Sequence, residues 1–482
     1  MENFNGKQVK VLFLVPPSQN KLVMEYDHAT NEAMGTYIPP GLISLATYLK
    51  QQMGEKVSVK LIDCSVGAWS NTSFEEAILA YRPDMVCMTT FTPLIYDVKK
   101  SLATIKRLLP SCINVIGGAH VTSFQEASVS DDDIDYAVMG YGEYPLRQLV
   151  AALFFDPSIQ LSGIPGLLYR MDGAVRKNAI NNSVISLDEL PVPDLSLIDY
   201  KRYVCPLGTR RTMVPVISSR GCPFQCTFCN SPDKIYAPRS MEKVFEEVLY
   251  IHSLGVEEIF FFDDLFNLTN ERVFEFCELV KKSKLKLVWS FKSRVQNINE
   301  ELVRTVKECG CERIHFGIET HTDQSLKRLK KGITVQQIKN AVDLCYRYKI
   351  NSVGSFMINL PGDTLEEIHE RFRFAERLRL DYAQFAVMIA YSHTAIFDEG
   401  VQLGLWDKDV WNRYVQNPSE EFIAPIWDNG IDRQLLYDLV NTSFRSFYLR
   451  PAYILQRLRN LHGAGELKKY FDGMCSLIHA KG

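Results

Sequence analysis

Long hydrophobic runs are absent from this sequence of 482 residues. None of its apolar stretches approaches the ~18 to 20 consecutive residues that span a bilayer, so the sequence predicts no membrane span. The N-terminal residues also lack the long apolar core and the small-residue cleavage site of a secretory signal peptide. We therefore expect a cytoplasmic protein.

A strong charge of one sign is equally absent. The 54 Lys and Arg residues are balanced by 57 Asp and Glu residues, which gives a formal net charge of -3. No global electrostatic field draws such a chain to nucleic acid, so we expect no nucleic-acid partner. The proportions of hydrophobic (46%) and charged (23%) residues are typical of globular proteins. The length suggests about three domains.

Cysteine is too sparse for a disulfide scaffold, since the chain has only 12 cysteines. Most of them are expected to be reduced, buried thiols. Cys222, Cys226 and Cys229 are the exception, because they lie within a single short segment.

The first part of the chain alternates short apolar runs with helical patterns, which predicts βαβ units and a parallel sheet. The expected fold class is therefore α/β, with an N-terminal doubly wound, Rossmann-like domain over residues 1–155. Its predicted strands are Val9–Val15, Val57–Asp63, Met85–Thr90, Asn114–Ile116 and Tyr136–Met139. Ligands of such sheets bind at the carboxyl ends of the strands, near the point where the strand order reverses.

A second βα series follows a linker predicted over residues 156–207, where turn signals gather at Asp172-Gly173 and around Pro191 and Pro193. Six βα units over residues 208–390 are too few to close an eight-stranded barrel, so we expect an open, partial (β/α)6 barrel. Its predicted strands are Val214–Ser218, Glu258–Phe262, Leu285–Phe291, Arg313–Ile318, Ser352–Ile358 and Tyr382–Ile389. A small helical C-terminal domain is expected over residues 391–482.

The three clustered cysteines form a CxxxCxxC motif directly after the first predicted barrel strand. Three thiolates on one loop can ligate three irons of a 4Fe-4S cluster, which leaves the fourth iron open to a small-molecule chelate. Phe224 and Phe228 are placed to shield the cluster from water. The alternatives are unremarkable thiols or a structural zinc site, for which Cys205, Cys309 or Cys311 would have to supply a fourth ligand.

This motif resembles that of the radical S-adenosylmethionine superfamily, in which the open iron binds the amino and carboxylate groups of S-adenosylmethionine. The resemblance extends through the barrel, at Phe261–Phe266, Ser293-Arg294-Val295, Phe316–Thr320, Lys330-Lys331-Gly332 and Gly354–Thr364, and indicates the cobalamin-binding branch. It implies contacts with S-adenosylmethionine from strand-end carboxylates and an arginine. The candidates are Phe228, Asp263, Asp264, Arg294 and Glu319.

The first domain resembles the cobalamin-binding domain of that branch. The resemblance rests on Tyr37–Leu42, on the glycine turn Gly117-Gly118 and on Gly140–Glu143. Glycines at a strand end let the backbone approach a phosphate or a bulky ring. The implied cobalamin contacts are Thr89, Thr90, Phe91, Gly117, Gly118, His120, Tyr141 and Glu143. Tyr141 departs from the branch, which more often has an acidic residue there, and Phe91 has the alternative of being a core residue.

No histidine of the chain lies in a D-x-H-x-x-G motif, so cobalamin is expected to bind without a protein histidine on cobalt. His120 is the alternative cobalt ligand. A second alternative is the methylthiotransferase type, in which Cys64, Cys87 and Cys112 would hold a further cluster, but buried thiols account for them better.

The C-terminal region resembles the tail of the same group at Phe444–Pro451. Arg445, Arg450, Arg457 and Arg459 would there form either a solvated helix face or a contact with an acidic substrate or carrier. The branch often has Pro-Tyr-Pro-Gly-Thr after the last barrel strand, where this chain has Ala390–Thr394.

The resemblance implies a methyltransferase that acts on an unactivated carbon. A reduced cluster would cleave S-adenosylmethionine, the 5′-deoxyadenosyl radical would abstract a substrate hydrogen, and methylcobalamin would supply the methyl group. The implied partners are a small-molecule or carrier-bound substrate and a reductase or flavodoxin-type electron donor. Oxidative cyclisation or ring rearrangement with the same cofactors stays an alternative, as does a non-catalytic cobalamin or iron–sulfur sensor.

Overall fold

Two parallel sheets dominate the computed structural model of the protein, which describes residues 8–18, 36–183, 185–203 and 212–459. The strands are β1 Val9–Val15, β2 Val57–Asp63, β3 Met85–Thr89, β4 Ile113–Gly117, β5 Tyr136–Val138, β6 Leu167–Met171, β7 Ala174–Lys177, β8 Met213–Val216, β9 Ser219–Arg220, β10 Ala237–Pro238, β11 Glu258–Phe261, β12 Val288–Ser293, β13 Cys311–Glu319, β14 Asn351–Ile358 and β15 Tyr382–Val387.

The α-helices lie between and after these strands. They are α1 Pro40–Met53, α2 Asn71–Tyr81, α3 Ile95–Leu108, α4 Ala119–Phe124, α5 Glu143–Phe154, α6 Met241–Ser253, α7 Asn270–Ser283, α8 Glu300–Glu308, α9 Asp323–Arg328, α10 Val335–Arg347, α11 Leu365–Arg377, α12 Ala395–Gln402, α13 Val410–Gln416, α14 Arg433–Tyr448 and α15 Pro451–Arg459. Several begin at a capping residue, such as Thr364, whose side chain and Glu367 form a reciprocal capping box.

The N-terminal sheet has the strand order β2-β1-β3-β4-β5-β6-β7, and its first five strands are parallel. The order reverses between β1 and β3, which makes the carboxyl ends of these two strands the expected ligand site of a doubly wound sheet. The predicted Rossmann-like architecture is thus confirmed.

The segment predicted as a linker differs from the expectation. Within residues 156–207, β6 pairs antiparallel with β5, and β7 pairs antiparallel with β6 around the turn at Asp172-Gly173. Asp172 and Gly173 both have positive φ. The hairpin extends the N-terminal sheet by two strands. The first three residues of β6 are apolar and buried, which stabilises this extension.

The second sheet has the order β15-β14-β13-β12-β11-β8, and all five pairings are parallel. Six strands with outer helices form the predicted open (β/α)6 barrel. A continuous cluster of buried apolar side chains runs through both sheets, from Val9 in β1 to Phe447 in α14. The two domains therefore share a core rather than meeting only through a linker.

The C-terminal region is helical as predicted, and it closes over the last barrel strand. Tyr448 in α14 bonds both the backbone N–H and the carbonyl of Ala383 in β15, and Tyr453 donates to the carbonyl of Asp381. The predicted helical segment beyond residue 459, the side chains of Arg457 and Arg459, and Cys205 and Cys475 lie outside the described residues.

No helix within the described ranges is both long enough and apolar enough to cross a membrane.

Candidate cofactor sites and the cleft between them

A cleft of about 400 Å³ separates the carboxyl ends of β3, β4 and β5 from those of β8 and β11. Because both sheets are parallel, the loops that carry ligands in such folds converge here. The cleft receives candidate residues of both domains, among them Thr89, Gly118, Tyr141, Asp263 and Asp264, and it is also lined by Arg220.

The cysteine loop begins directly after the short strand β9, with a tight turn at Gly221. Its φ is +77°, and a Cβ at this position would lie 2.1 Å from the carbonyl oxygen of Ile235, so only glycine fits. The backbone N–H of Cys222 donates to the carbonyl of Asp233, and that of Thr227 donates to the carbonyl of Leu329. The loop is therefore fixed at both ends to neighbouring segments.

Asp263 anchors the start of this loop. Its carboxylate accepts hydrogen bonds from the backbone N–H groups of Ser218 (2.7 Å) and Ser219 (3.1 Å), and from the hydroxyl of Ser218 (2.5 Å). Burial raises the pKa of Asp263, although these hydrogen bonds oppose the shift. The carboxylate is committed to the loop backbone, and a direct contact with S-adenosylmethionine stays a prediction. Asp264 beside it is exposed to the cleft.

Arg294, at the end of β12, lies against the cysteine loop. Its guanidinium stacks on the ring of Phe224, 3.8 Å from the centroid, and its Nη1 lies 3.8 Å from the Sγ of Cys226. Arg294 Nε is buried with no hydrogen-bond partner among the described residues. The arginine is held beside Cys226 and still has an N–H donor without a partner among the described residues. Such a side chain is suited to bind the carboxylate of a ligand at that cysteine.

Glu319, at the end of β13, is buried and paired with Lys331, whose Nζ lies 2.7 Å from its Oε1. Glu319 has a φ of +67°, which is strained for a residue with a side chain. The same Lys331 ammonium lies 5.6 Å from the ring centroid of Phe228 in the cysteine loop. Lys331 therefore contacts both Glu319 and Phe228, two of the residues predicted to bind S-adenosylmethionine.

The three thiols of the cysteine loop match the donor set of a 4Fe-4S cluster. Cys222, Cys226 and Cys229 are half-buried, reduced and on one loop. Within the described ranges no three His, Cys, Asp or Glu side chains converge as a single metal ion requires, and Cys205, one candidate for a fourth zinc ligand, lies outside those ranges. A 4Fe-4S cluster needs one thiolate on each of three different irons, which is the donor set that this loop offers.

A buried ion pair joins the cysteine loop to the first domain. Arg220, two residues before Cys222, donates to both carboxylate oxygens of Glu143 at 3.1 and 2.6 Å, and Ser44 donates to the same carboxylate at 2.8 Å. Burial pushes the pKa of Glu143 upward, but the charge and hydrogen bonds of Arg220 outweigh it, and the pKa lies below its ordinary value.

Tyr141 belongs to the same contact. Its hydroxyl donates to Asp233 Oδ2, and its ring lies 4.7 Å from the Arg220 guanidinium. Burial, followed by the hydrogen bond and charge of Asp233, raises the pKa of Tyr141. Tyr141 and Glu143 were both predicted as cobalamin contacts. In the structure their side chains form hydrogen bonds with the barrel domain and, for Glu143, with α1. A cobalamin contact for either residue stays a prediction.

The glycine turn after β4 fits a bulky ligand at the switch point. Gly118 has a φ of +99°, and a Cβ there would lie 2.8 Å from the Oγ1 of Thr89 and 3.0 Å from the carbonyl of Thr90. The Oγ1 of Thr90 is buried without a partner among the described residues. Phe91, by contrast, is 54% exposed, so the alternative that it is a core residue is wrong. An exposed phenyl ring beside an orphaned hydroxyl indicates a surface shaped for a ligand.

His120 is buried in α4, which follows the glycine turn. Its Nδ1 lies 3.2 Å from Thr92 Oγ1, and its ring packs on Phe124. Burial, with a smaller effect of the Lys99 charge, lowers the pKa of His120 to about 3. The imidazole is therefore neutral, and its Nε2 has no partner among the described residues.

The cysteines of the first domain do not form a second cluster site. Cys64, Cys87 and Cys112 are all buried and reduced. Burial raises the pKa of Cys64 and of Cys112 to about 12 and raises that of Cys87 as well, so all three are held as protonated thiols. These cysteines are core residues, as expected from the sequence, which favours buried thiols over the further cluster of the methylthiotransferase type.

The sequence analysis missed the partners that tie the sites together. Arg220, Asp233 and Lys331 carry no local pattern that marks them as site residues, because their contacts lie 77, 92 and 12 residues away along the chain. The available signal was that Arg220 directly precedes the cysteine turn, where a charged residue needs a partner once it is buried.

Comparison with known sequences agrees with this arrangement. The sequence model of the radical SAM superfamily matches residues 216–375, and that of the B12 binding domain matches residues 28–150. An uncharacterized methyltransferase of Pyrococcus horikoshii is 31% identical over 466 residues, which cover 95% of this chain and 96% of that protein. An anaerobic magnesium-protoporphyrin IX monomethyl ester cyclase of Rubrivivax gelatinosus is 27% identical, covering 92% of this chain and 78% of the cyclase.

Solved structures share the fold. The cobalamin-dependent S-adenosylmethionine radical enzyme OxsB, with aqua-cobalamin and S-adenosylmethionine bound, superposes with a TM-score of 0.69 at 19% identity, covering 98% of this chain and 72% of OxsB. The radical S-adenosylmethionine methyltransferase TsrM of Kitasatospora setae gives a TM-score of 0.65 at 18% identity, covering 82% of this chain and 75% of TsrM. By sequence, fold and the pairing of its two domains, the chain belongs to the cobalamin-binding radical S-adenosylmethionine enzyme family.

Proposed function

We propose that this protein is a cobalamin-dependent radical S-adenosylmethionine methyltransferase that methylates an unactivated carbon. The observation that carries the proposal is one cleft that is lined both by Gly221 and Ser231–Asp233, which flank the three cysteines, and by the glycine turn after β4. A methyl donor bound at one edge and a hydrogen-abstracting group bound at the other would then face the same substrate.

Cys222, Cys226 and Cys229 would hold the 4Fe-4S cluster. Arg294 is placed to bind the carboxylate of S-adenosylmethionine, because its guanidinium already lies beside Cys226. Two further carboxylates flank this position. Asp264 is open to the cleft, and Glu319 is held by Lys331. Asp263 is proposed as a positioning residue that fixes the loop, since its hydrogen bonds go to Ser218 and Ser219.

Cobalamin would bind at the switch point of the N-terminal sheet. Thr89, Thr90, Gly117 and Gly118 would form the cradle, and Phe91 would lie against the corrin ring. His120 would contact the edge of the corrinoid or its nucleotide tail through Nε2, while its Nδ1 stays on Thr92. Tyr141 and Glu143 would set the distance between the two cofactors by binding the ends of the cysteine loop.

The cluster would supply the electron that cleaves S-adenosylmethionine reductively, and the corrinoid would supply the methyl group. The residues of the chain itself bind, orient and exclude water. Phe224 and Phe228 cover the cysteine loop, and the Arg220–Glu143 pair holds this loop against the first domain. A fixed separation between the two cofactors matters because a substrate radical that is not already positioned next to the methyl donor undergoes side reactions.

The domain boundaries near residues 155, 207 and 390 are part of the proposal, with the β6–β7 hairpin assigned to the first domain. A flavodoxin-type reductase is proposed as the electron donor, a small or carrier-bound molecule as the substrate, and the cytoplasm as the location.

Oxidative cyclisation is the second candidate function. It is favoured by the magnesium-protoporphyrin cyclases, which match more than nine-tenths of this chain. The two functions differ in whether the product gains a carbon, which the cofactor sites do not determine.

The test is anaerobic reconstitution of the wild type and of Cys226→Ala with iron, sulfide and hydroxocobalamin, followed by S-adenosylmethionine and a strong reductant. The proposal predicts that the wild type forms methylcobalamin and S-adenosylhomocysteine, and that Cys226→Ala forms no 5′-deoxyadenosine. A wild-type sample that cleaves S-adenosylmethionine to 5′-deoxyadenosine but never methylates its corrinoid would favour the cyclase instead.

A further inference from the structure

One lysine lies inside the barrel with aromatic rings around its ammonium and, among the residues that the structure describes, no oxygen acceptor. Lys292, on the inner face of β12, places its Nζ 4.1 Å from the ring centroid of Phe262 and 5.9 Å from that of Phe260. The ring of His315 packs on the other side of Phe260, at 4.8 Å. Tyr37 of the first domain reaches the same place, with its centroid 5.4 Å from that of Phe262.

Most of the acidic residues nearby in the barrel are committed to other groups, whereas Asp264, whose charge acts on Lys292, is exposed to the cleft. Glu258 pairs with Arg313 at 3.2 Å, and both side chains are 1% exposed. Glu319 pairs with Lys331, and Asp263 accepts from the serines of the cysteine loop. Within the described ranges the ammonium of Lys292 makes neither a hydrogen bond nor an ion pair, and its backbone carbonyl accepts from the N–H of Phe266.

Such an ammonium is costly for the protein. Burial lowers the pKa of Lys292, and the charges of Asp264 and Asp263 offset this only in part. Contacts with ring faces compensate only part of this cost and leave all three N–H donors without an oxygen. Burying a cation with unused donors is unfavourable, and an anion that comes with a ligand would relieve that cost.

The position of Lys292 separates it from the proposed S-adenosylmethionine site. Arg294, which lies beside Cys226, is two residues further along the same face of β12, about 6.6 Å away along the strand. Phe262 and Asp264, the neighbours of Lys292, line the cleft between the domains. Tyr37 brings the first domain, with the proposed cobalamin site, to the same point. Lys292 is therefore half-buried directly beside residues that line the space between the two proposed cofactor sites, where a substrate has to bind.

We infer that Lys292 is a substrate anchor and that the substrate carries an oxyanion, a carboxylate or a phosphate, which this ammonium binds. The inference rests on the proposed function, because it assumes that the cleft between the cofactor sites holds the substrate. The rings of Phe262 and Tyr37 would lie against the apolar part of the molecule next to the anion.

The test measures how fast Lys292 reacts with isotopically labelled acetic anhydride in the reconstituted holoenzyme, read by peptide mass spectrometry. Inorganic pyrophosphate and succinate serve as the phosphate and carboxylate probes, each added with S-adenosylmethionine present. A probe at ten times its dissociation constant leaves about one site in eleven free, so we expect labelling of Lys292 to slow about tenfold. Lys282, whose side chain is 75% exposed on α7, is the internal control and should be unaffected.

Variants provide a second measurement by calorimetric titration of the preferred probe. Lys292→Met should abolish binding, Lys292→Arg should retain most of it, and Lys282→Met should bind as the wild type does. Should Lys292→Met fail to fold, the comparison of Lys292→Arg with the wild type and the labelling experiment still decide.

Three results would overturn the inference. Lys292 would be no anchor if it does not react with the reagent at all, or if neither probe protects it. It would belong to the S-adenosylmethionine site if S-adenosylmethionine alone protects it fully and the probes act only by displacing S-adenosylmethionine. Because labelling requires no turnover, these outcomes are distinct from failure of the proposed function, which would appear as loss of corrinoid or of S-adenosylmethionine cleavage in the same wild-type sample.

Discussion

The ion pair between Arg220 and Glu143 is the strongest single connection between the cysteine loop and the first domain, and its removal has a calculable effect. Glu143 is 3% exposed and Arg220 21% exposed in their side chains. In Arg220→Met the Glu143 carboxylate stays buried with only Ser44 as a partner. Breaking a buried pair from one side costs about 3 to 5 kcal/mol. We expect about 3 kcal/mol here, because Arg220 is partly open to solvent.

The pH dependence gives the sharper test of this reasoning. In the wild type the pKa of Glu143 is lowered, so the stability that its charge contributes is complete above the ordinary glutamate pKa near ~4.3 and is lost as pH falls further. In Arg220→Met, burial acts without the arginine, and the pKa of Glu143 rises above its ordinary value. The carboxyl then takes up a proton as pH falls toward 4. The difference in stability between the two proteins is therefore largest at neutral pH and shrinks toward pH 4.

The assay is urea unfolding of the wild type, Arg220→Met and the double variant Glu143→Gln/Arg220→Met, followed by fluorescence at several pH values. The double variant buries no unpaired charge and should recover part of the loss. Lys282→Met is the surface control, and its exposed pair with Glu278 should contribute less than about 1 kcal/mol. A loss in Arg220→Met that is below 1 kcal/mol at neutral pH, or that is equal at pH 7 and pH 4, would refute the account.

Three further predictions concern the first domain. Gly118→Ala should destabilise the fold by more than about 1 kcal/mol and release corrinoid, because its Cβ would collide with Thr89. The control Gly163→Ala has open space around it and should do neither. Urea unfolding measures the stability, and gel filtration with hydroxocobalamin measures corrinoid retention. Phe91→Ala should leave stability within about 0.5 kcal/mol, since the ring is exposed, yet weaken corrinoid retention; unchanged retention would remove Phe91 from the site. The pKa of His120, lowered to about 3, costs the wild type stability as pH falls below ~6.5, by up to about 1.4 kcal/mol per pH unit, and a curve that is no flatter in His120→Asn would contradict this.

The regular part of the fold was predictable from local patterns. Strands β1 and β2 match their predicted bounds, and the barrel strands differ by a few residues, because buried parallel strands are short apolar runs between turn signals. The hairpin of β6 and β7 was not predicted. Its turn at Asp172-Gly173 was recognised, but an edge hairpin with polar residues in β7 looks like a connecting segment when its partner strand is unknown.

The candidate site divides in the same way. The cysteine motif and the glycine turn are local features whose chemistry can be predicted from residue types. The commitments of Glu143 to Arg220 and of Asp263 to the serines depend on long-range packing, which no local pattern contains. Lys292 is a further case, because a single lysine in a strand becomes notable only when its neighbours are found to be aromatic and without acceptors.

The most direct test of the central claim is the iron and corrinoid content of one anaerobically reconstituted sample, measured for the wild type, Cys226→Ala and Gly118→Ala. The account predicts about four irons and one corrinoid per chain in the wild type. Cys226→Ala should lose iron but keep corrinoid, and Gly118→Ala should do the reverse. A wild type that takes up a cluster but retains no corrinoid would contradict the assignment of two cofactor sites to one cleft.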